Sequence, residues 1–167
     1  MVLKSDFRIK FQFGYLALCI KKILKTMETH NITTTWKGKM QFESTNPSGD
    51  VISIDAGPEN GGEGKGLRPK ALMLSALAGC TGLDVVSLIE KMKLEVTDFK
   101  IETSGELTEE HPKTYHTVKV DYHFYGSNLD EKKLEKSVNL SVDKYCGVME
   151  MFRQFAKVEV AIFYHKL

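Results

Sequence analysis

The run "RPKALMLSALAGCTGLDVVSLIEKM", residues 68–92, constrains this chain more than any other segment. Pro69 suits the first turn of a helix, where its missing N–H costs nothing. Charge returns in force only at Glu90, Lys91 and Lys93. A helix from Pro69 to about Lys93 is therefore apolar on nearly every face and must be surrounded by protein along most of its length. Asp84, together with Ser75, Ser87, Gly79 and Gly82, lowers the hydrophobicity of the segment below that of a membrane span, so it reads as a core helix. On its wheel Met73, Leu77, Cys80, Asp84 and Ser87 share one stripe, which places a thiol and a carboxylate one turn apart. One short chain has little else with which to cover such a helix, and a homodimer is expected.

The remaining segments supply strands and a second helix. "ITTTWKGKMQF", from Ile32, is rich in β-branched and aromatic residues, and "DVISID" at 50–55 alternates after the turn signal "NPSGD"; together they read as a hairpin. The glycine-rich stretch "AGPENGGEGKGLRP", residues 56–69, excludes a regular element and reads as a mobile or functional loop. "VTDFKIETSGEL" and "YHTVKVDYHFYG" alternate with period two around a polar turn and form a second, longer hairpin. Asn128, three residues before Glu131, resembles a capping box. Leu134, Val138 and Val142 then repeat at helical spacing to about Tyr145. Gly147 breaks that helix before the helical turns of "VMEMFRQF", and "KVEVAIFYH" closes the chain as a strand. The fold class is α+β: two hairpins and a C-terminal strand packed around a long buried helix and a second helix. Residues 1–26 are basic and aromatic and read as an N-terminal extension, or as sequence upstream of a start at Met27, with one domain over 27–167. Within them, Phe11 to Leu24 has a short apolar core and no small-residue cleavage site after it, which disfavours a signal peptide.

Twenty-three basic residues against twenty-two acidic ones leave a formal charge of +1, so no single-sign field recruits nucleic acid or an anionic membrane. Cys19, Cys80 and Cys146 are odd in number, widely separated and without C-x-x-C spacing, which fits a reducing cytoplasm. The histidines show no H-x-x-x-H pattern, and no metal site or cofactor is expected. Cys80 is either a compact filler of a packed helix or a thiol held there to react. Cys146 stands immediately before a helical turn, whose N–H groups would lower its pKa; the plainer reading packs it under Tyr145. Asp84 would raise a nearby thiol's pKa, and it reads as a helix-cap partner or dimer contact rather than a base.

The helix carrying Cys80 behind Pro69, followed by the later cysteine of "VDKYCGVMEMF", resembles the OsmC/Ohr superfamily, the osmotically inducible and organic-hydroperoxide-resistance proteins. The likeness runs from about Ile32 to the C-terminus. It implies an intertwined α+β homodimer, a cytoplasmic thiol peroxidase acting on organic or hydrogen peroxides without metal or haem, and an external thiol or dithiol reductant. Carried over by position, Cys80 matches the peroxidatic cysteine and Cys146 the resolving one, while Cys19 has no counterpart. Family peroxidases also use an arginine from the early strands, held by a glutamate just after the proline. Here the early strands offer Lys37 and Lys39, and Lys70 and Ala71 follow Pro69, so that pair is absent. Arg68 and Glu63 of the glycine-rich loop, and Arg153, are the nearest substitutes; the plain reading makes the first two solvated loop charges and the third an exposed helical residue. The alternative to a peroxidase is a protein of the same fold that binds a small apolar molecule, or a structural dimer whose thiols are idle.

Overall fold

The computed structural model describes residues 29–167. The expectations for residues 1–26, the start at Met27 and Cys19 lie outside them. The chain opens with β1 (Thr33–Gly38), β2 (Gln41–Thr45) and β3 (Val51–Ile54), paired antiparallel in that order. The run read as one strand is thus two. Gly38 and Lys39 take positive φ angles of 107° and 48°, which folds the chain back on itself, and the Trp36 indole N–H closes the turn on the Lys39 carbonyl at 2.9 Å. The expected hairpin is a three-stranded meander.

The glycine-rich loop is tied rather than free. The Asp55 side chain, 2% exposed, accepts the backbone N–H groups of Ala56, Glu63 and Lys65 at 2.8, 3.0 and 3.1 Å. Gly62 makes this wrapping possible, because a Cβ there would lie 2.1 Å from the Ala56 carbonyl oxygen. A short 3₁₀ turn at Pro58–Asn60 completes the loop.

Helix α1 (Pro69–Met92) follows as the sequence predicts, with Pro69 in its first turn and Lys93 closing it at φ 53°. Next come β4 (Asp98–Leu107) and β5 (Tyr115–Tyr125), an antiparallel pair, with β6 (Lys157–His165) parallel to β5 at the far edge. Between β5 and β6 lie α2 (Glu131–Leu140), a wide π-type turn at Ser141–Tyr145, and α3 (Gly147–Arg153). The predicted second helix therefore ends five residues early. Its cap is Asp130, whose carboxylate accepts the Lys133 N–H at 3.1 Å, whereas Asn128 donates to Glu95.

The core forms where Val118, Val120, Tyr122 and Phe124 of β5 meet Leu77 and Val85 of α1, Leu134 and Val138 of α2, and Met149 and Phe152 of α3. Only Leu77, Thr81 and Val85 of α1 are fully covered within one chain; Leu83 is 76% exposed, and Met73 and Val86 are also open. The burial expected for the whole helix is not reached in a single subunit. Trp36, Val51 and Ile52 of the first sheet are likewise exposed.

Three N–H groups, that of Lys65 foremost, outweigh burial and hold the Asp55 carboxyl below its ordinary value of 3.8. Its hold on the loop is complete above that pH and is lost as pH falls through the depressed value. Asp55→Asn at neutral pH should raise tryptic cleavage after Lys65 on the order of tenfold, since an amide cannot hold all three N–H groups as a carboxylate does. Unchanged cleavage would show that the loop is held by something else.

Candidate active site

Cys80 lies at the middle of α1 on the border of its buried stripe, and is half-buried. Cys146 ends the wide turn and caps α3, its sulfur accepting the Met149 N–H at 3.3 Å, and it is only 4% exposed. Cys80 is among the groups that raise the Cys146 thiol, so the two side chains are neighbours, and neither is in a disulfide. The asymmetry is chemically useful: the accessible sulfur can meet a reagent, and the buried one can receive what it brings.

The wide turn produces this meeting. The Cys146 N–H donates to the Ser141 carbonyl at 2.9 Å, five residues back, so Ser141 and Cys146 stack on one face. Opposite them on α1 stand Asp84 and Cys80, one α-helical turn apart. Ser141 Oγ donates to Asp84 Oδ2 at 3.0 Å and lies 2.8 Å from Thr81 Oγ1, which lies 2.7 Å from the Tyr122 hydroxyl. Each hydroxyl has one proton. Because Ser141 gives its proton to Asp84, Thr81 must donate to Ser141 and Tyr122 to Thr81, so every O–H in the chain points toward the carboxylate. Burial, with smaller contributions from Cys146 and Asp84, pushes the Tyr122 hydroxyl up to about 12 against the opposing Thr81 bond, which keeps it a donor. Asp84 thus accepts from Ser141 on the neighbouring turn and caps no helix.

Cys146 departs from its sequence expectation. Burial pushes its thiol up to about 12, the Cys80 contact adds to the rise, and the Met149 N–H opposes it too weakly to reverse the sign. At neutral pH Cys146 is a thiol and a donor.

The substitute charges are engaged elsewhere in the subunit. Arg68 precedes α1 and pairs with Glu59 at 3.4 Å; Cys80 is about 18 Å farther along the helix axis. Glu63 is bound by Lys39 and Lys65, which pull its carboxyl down to about 2. Lys37 pairs with Glu43. Arg153 donates to the Val142 carbonyl at 2.9 Å and pairs with Asp143 at 3.3 Å, so it clamps the wide turn instead of facing a sulfur. Lys144, which the sequence reading passed over, borders a cavity of about 370 Å³ beside Cys146, with its Nζ over the Tyr145 ring. Also missed were Thr81, Ser141 and Tyr122, whose burial gives isolated hydroxyls their meaning. His123 and His165 contact each other at 3.0 Å on the sheet face opposite Tyr122.

A family model described as OsmC-like protein matches residues 62–161, which is more than half of the chain and includes both thiols. The chain belongs to the OsmC-like family. It is similar to Protein YhfA of Escherichia coli K12, 28% identical over 123 residues, which cover 74% of this chain and 89% of YhfA. A hypothetical protein from Aquifex aeolicus VF5 superposes with a TM-score of 0.75 at 30% identity, over 84% of this chain and 99% of that one. A Legionella pneumophila structure described as an organic hydroperoxide resistance protein, OsmC, gives 0.63 at 18% identity, over 83% of this chain and 99% of that one, a likeness of fold alone. The mixed architecture of two small sheets and three helices is the OsmC-like one.

Removing the middle of the hydroxyl chain should be worse than removing its end. Thr81→Val leaves the buried Tyr122 hydroxyl without its acceptor and takes from Ser141 its donor, and should cost about 2–4 kcal/mol, whereas Tyr122→Phe should cost about 1 kcal/mol, in urea unfolding at fixed protomer concentration. Equal losses would show that the three hydroxyls do not act in series.

Proposed function

We propose that this protein is a thiol-dependent peroxidase that reduces hydroperoxides, organic ones foremost, through Cys80 and Cys146. The observation that carries the reading is that a half-buried thiol and a buried one are neighbours, near enough for Cys80 to raise the Cys146 thiol. The Cys80 thiolate attacks the terminal peroxide oxygen and breaks the O–O bond; the departing alkoxide takes a proton and leaves as the alcohol, and Cys80 becomes a sulfenic acid. Cys146 then attacks that sulfur, forming the disulfide and releasing water. An external dithiol exchanges with the disulfide and restores both thiols, carrying away the oxidising equivalents as its own disulfide. The apolar cleft of about 380 Å³ bordered by Met73, Tyr115 and Phe155 lies two turns before Cys80 on the same helix and suits the organic part of such a substrate. An odd number of widely separated cysteines fits a reducing compartment, and we place the protein in the cytoplasm.

The functional unit in this reading is a homodimer. The open face of α1 and the uncovered first sheet leave apolar surface that a second copy would bury. Leu83→Asp should convert a dimer to a monomer in light scattering. A monomeric unsubstituted protein would remove this part of the proposal.

One observation favours a second reading. Each candidate cation has another partner within the subunit and the cleft is apolar, as suits a binder of small apolar molecules with idle thiols. Peroxide consumption with a dithiol separates the two. The peroxidase reading expects turnover by the unsubstituted protein, none by Cys80→Ser, and a single turnover ending at a trappable sulfenic acid for Cys146→Ser. Consumption that survives Cys80→Ser overturns it.

A further inference from the structure

One end of the core is left unfilled. Met73 of α1, Tyr115 of β5 and Phe155 beyond α3 border the cleft of about 380 Å³, whose wall is almost entirely carbon. Its floor is fixed: the Tyr115 ring lies across Gly105 of β4, where a Cβ would stand 2.5 Å from it, and the Phe155 ring is 5.0 Å from that of the buried Phe152. Met73 and Phe155 are nonetheless exposed, so the cleft is preformed and open. Around α1, Met73 lies about 80° from Leu83 and about 140° from Val86, off the face given above to the second copy.

Three polar groups line this apolar cleft, and none of them has a partner among the described residues. Lys70 and Lys113 form no ion pair; Glu109 and Glu110, in the turn that carries Lys113, neither pair with it nor line the cleft. Lys70 stands in the first turn of α1, which has no acidic residue and no side-chain cap. Tyr115 is 7% exposed, and its hydroxyl has no hydrogen-bond partner, which a buried tyrosine ordinarily finds. Two ammonium groups and an O–H are donors all. What answers them together is an anion; a neutral apolar ligand leaves the two charges as they are.

We propose that this cleft binds a free aliphatic carboxylate, with Lys70, Lys113 and the Tyr115 hydroxyl on its head group and Met73 and Phe155 on its chain. The inference takes the cleft assigned above to the organic part of a substrate and does not use the thiol chemistry. A volume of about 380 Å³ suits one small molecule. The aliphatic stems of the two lysines extend the apolar wall while their ammonium groups stay in water, so the head group is paired without losing all of its hydration. Partial exposure keeps each ion pair weak, and burial of the chain supplies most of the affinity. The cations therefore select the ligand more than they hold it.

The full chain is titrated calorimetrically with octanoate and with octanol, which share a chain and differ in the head. Octanoate should bind about tenfold tighter at low salt, and the gap should narrow as sodium chloride is raised. Lys70→Met with Lys113→Met keeps both stems and removes both charges. Octanoate should then weaken about tenfold, the sum of two exposed ion pairs, and octanol should be unchanged. Tyr115→Phe should weaken octanoate about fivefold and leave octanol alone. Lys132→Met with Lys136→Met on α2 changes the net charge as much without touching the cleft, and should leave octanoate binding unchanged. Equal binding of the two ligands, or octanoate binding indifferent to the Lys70 and Lys113 pair, overturns the proposal in favour of an unselective apolar cleft. Binding of neither overturns it as well, as for a cleft closed by a second copy. Cosedimentation with phosphatidylglycerol vesicles without octanoate binding would give the head-group site to a membrane lipid and overturn the free carboxylate. A protein that binds octanoate in this way and ignores peroxide fails the peroxidase reading and leaves this inference standing; one that consumes peroxide and does not bind octanoate does the reverse.

Discussion

Two helical repeats of different length are matched across one contact, and the thiol pair depends on that match. On α1 the residues that face the wide turn recur every four positions, Cys80 and Asp84; on the turn they recur every five, Ser141 and Cys146. Had α2 continued as an α-helix, five steps of 100° would have carried Cys146 about 140° around from Ser141 and away from α1. The widened turn returns it. Arg153 then holds the turn from outside by donating to the Val142 carbonyl, and Thr81 and Asp84 hold it from inside through Ser141. The thiol contact is therefore fixed by polar groups that include neither sulfur.

The same burial that makes this arrangement rigid decides the protonation states. Cys146 has a helical turn's N–H on its sulfur, a feature that ordinarily favours thiolate, yet loss of hydration outweighs it. A buried thiol that stays protonated can donate to a neighbouring sulfur, and the neighbour is Cys80. In the peroxidase reading the cost falls on the second step, where the donor must itself ionise.

Element types were legible in the sequence wherever periodicity was strong: α1 from its apolar run behind Pro69, β4 and β5 from strict alternation, β6 from its closing pattern. The errors fall where short-range geometry overrides pattern. A positive φ at Lys39 split one β-rich run into two strands, and the i to i+5 bond at Cys146 ended α2 at Leu140. Neither leaves a trace in hydrophobic spacing. For the site, the two cysteines were readable as a pair only through family resemblance, since nothing in their separation brings them together. Thr81, Ser141 and Tyr122 were invisible because a hydroxyl gains significance only when burial removes water as its partner. The pKa of Cys146 went wrong for the same reason: its place before a helical turn can be read from sequence, its desolvation cannot.

Two gaps in the single subunit coincide. The faces left bare, Leu83 and Val86 of α1 and the Trp36–Phe42–Ile52 face of the first sheet, are apolar surfaces that one chain cannot cover. The charges left far from their thiol, Arg68 with Glu59 and Glu63 with Lys39 and Lys65, form a cluster at the foot of α1 beside that same sheet. Asp55 binds the loop that carries this cluster into a fixed shape. A rigid display of charge about 18 Å along the helix from its own Cys80 cannot act on that sulfur. Against a second copy of α1 it has no such restriction, provided that the loop and the bare helix face share one isologous interface. In the dimer proposed above, the surface that hides the bare helix is thus also the surface that can bring a guanidinium toward a thiolate.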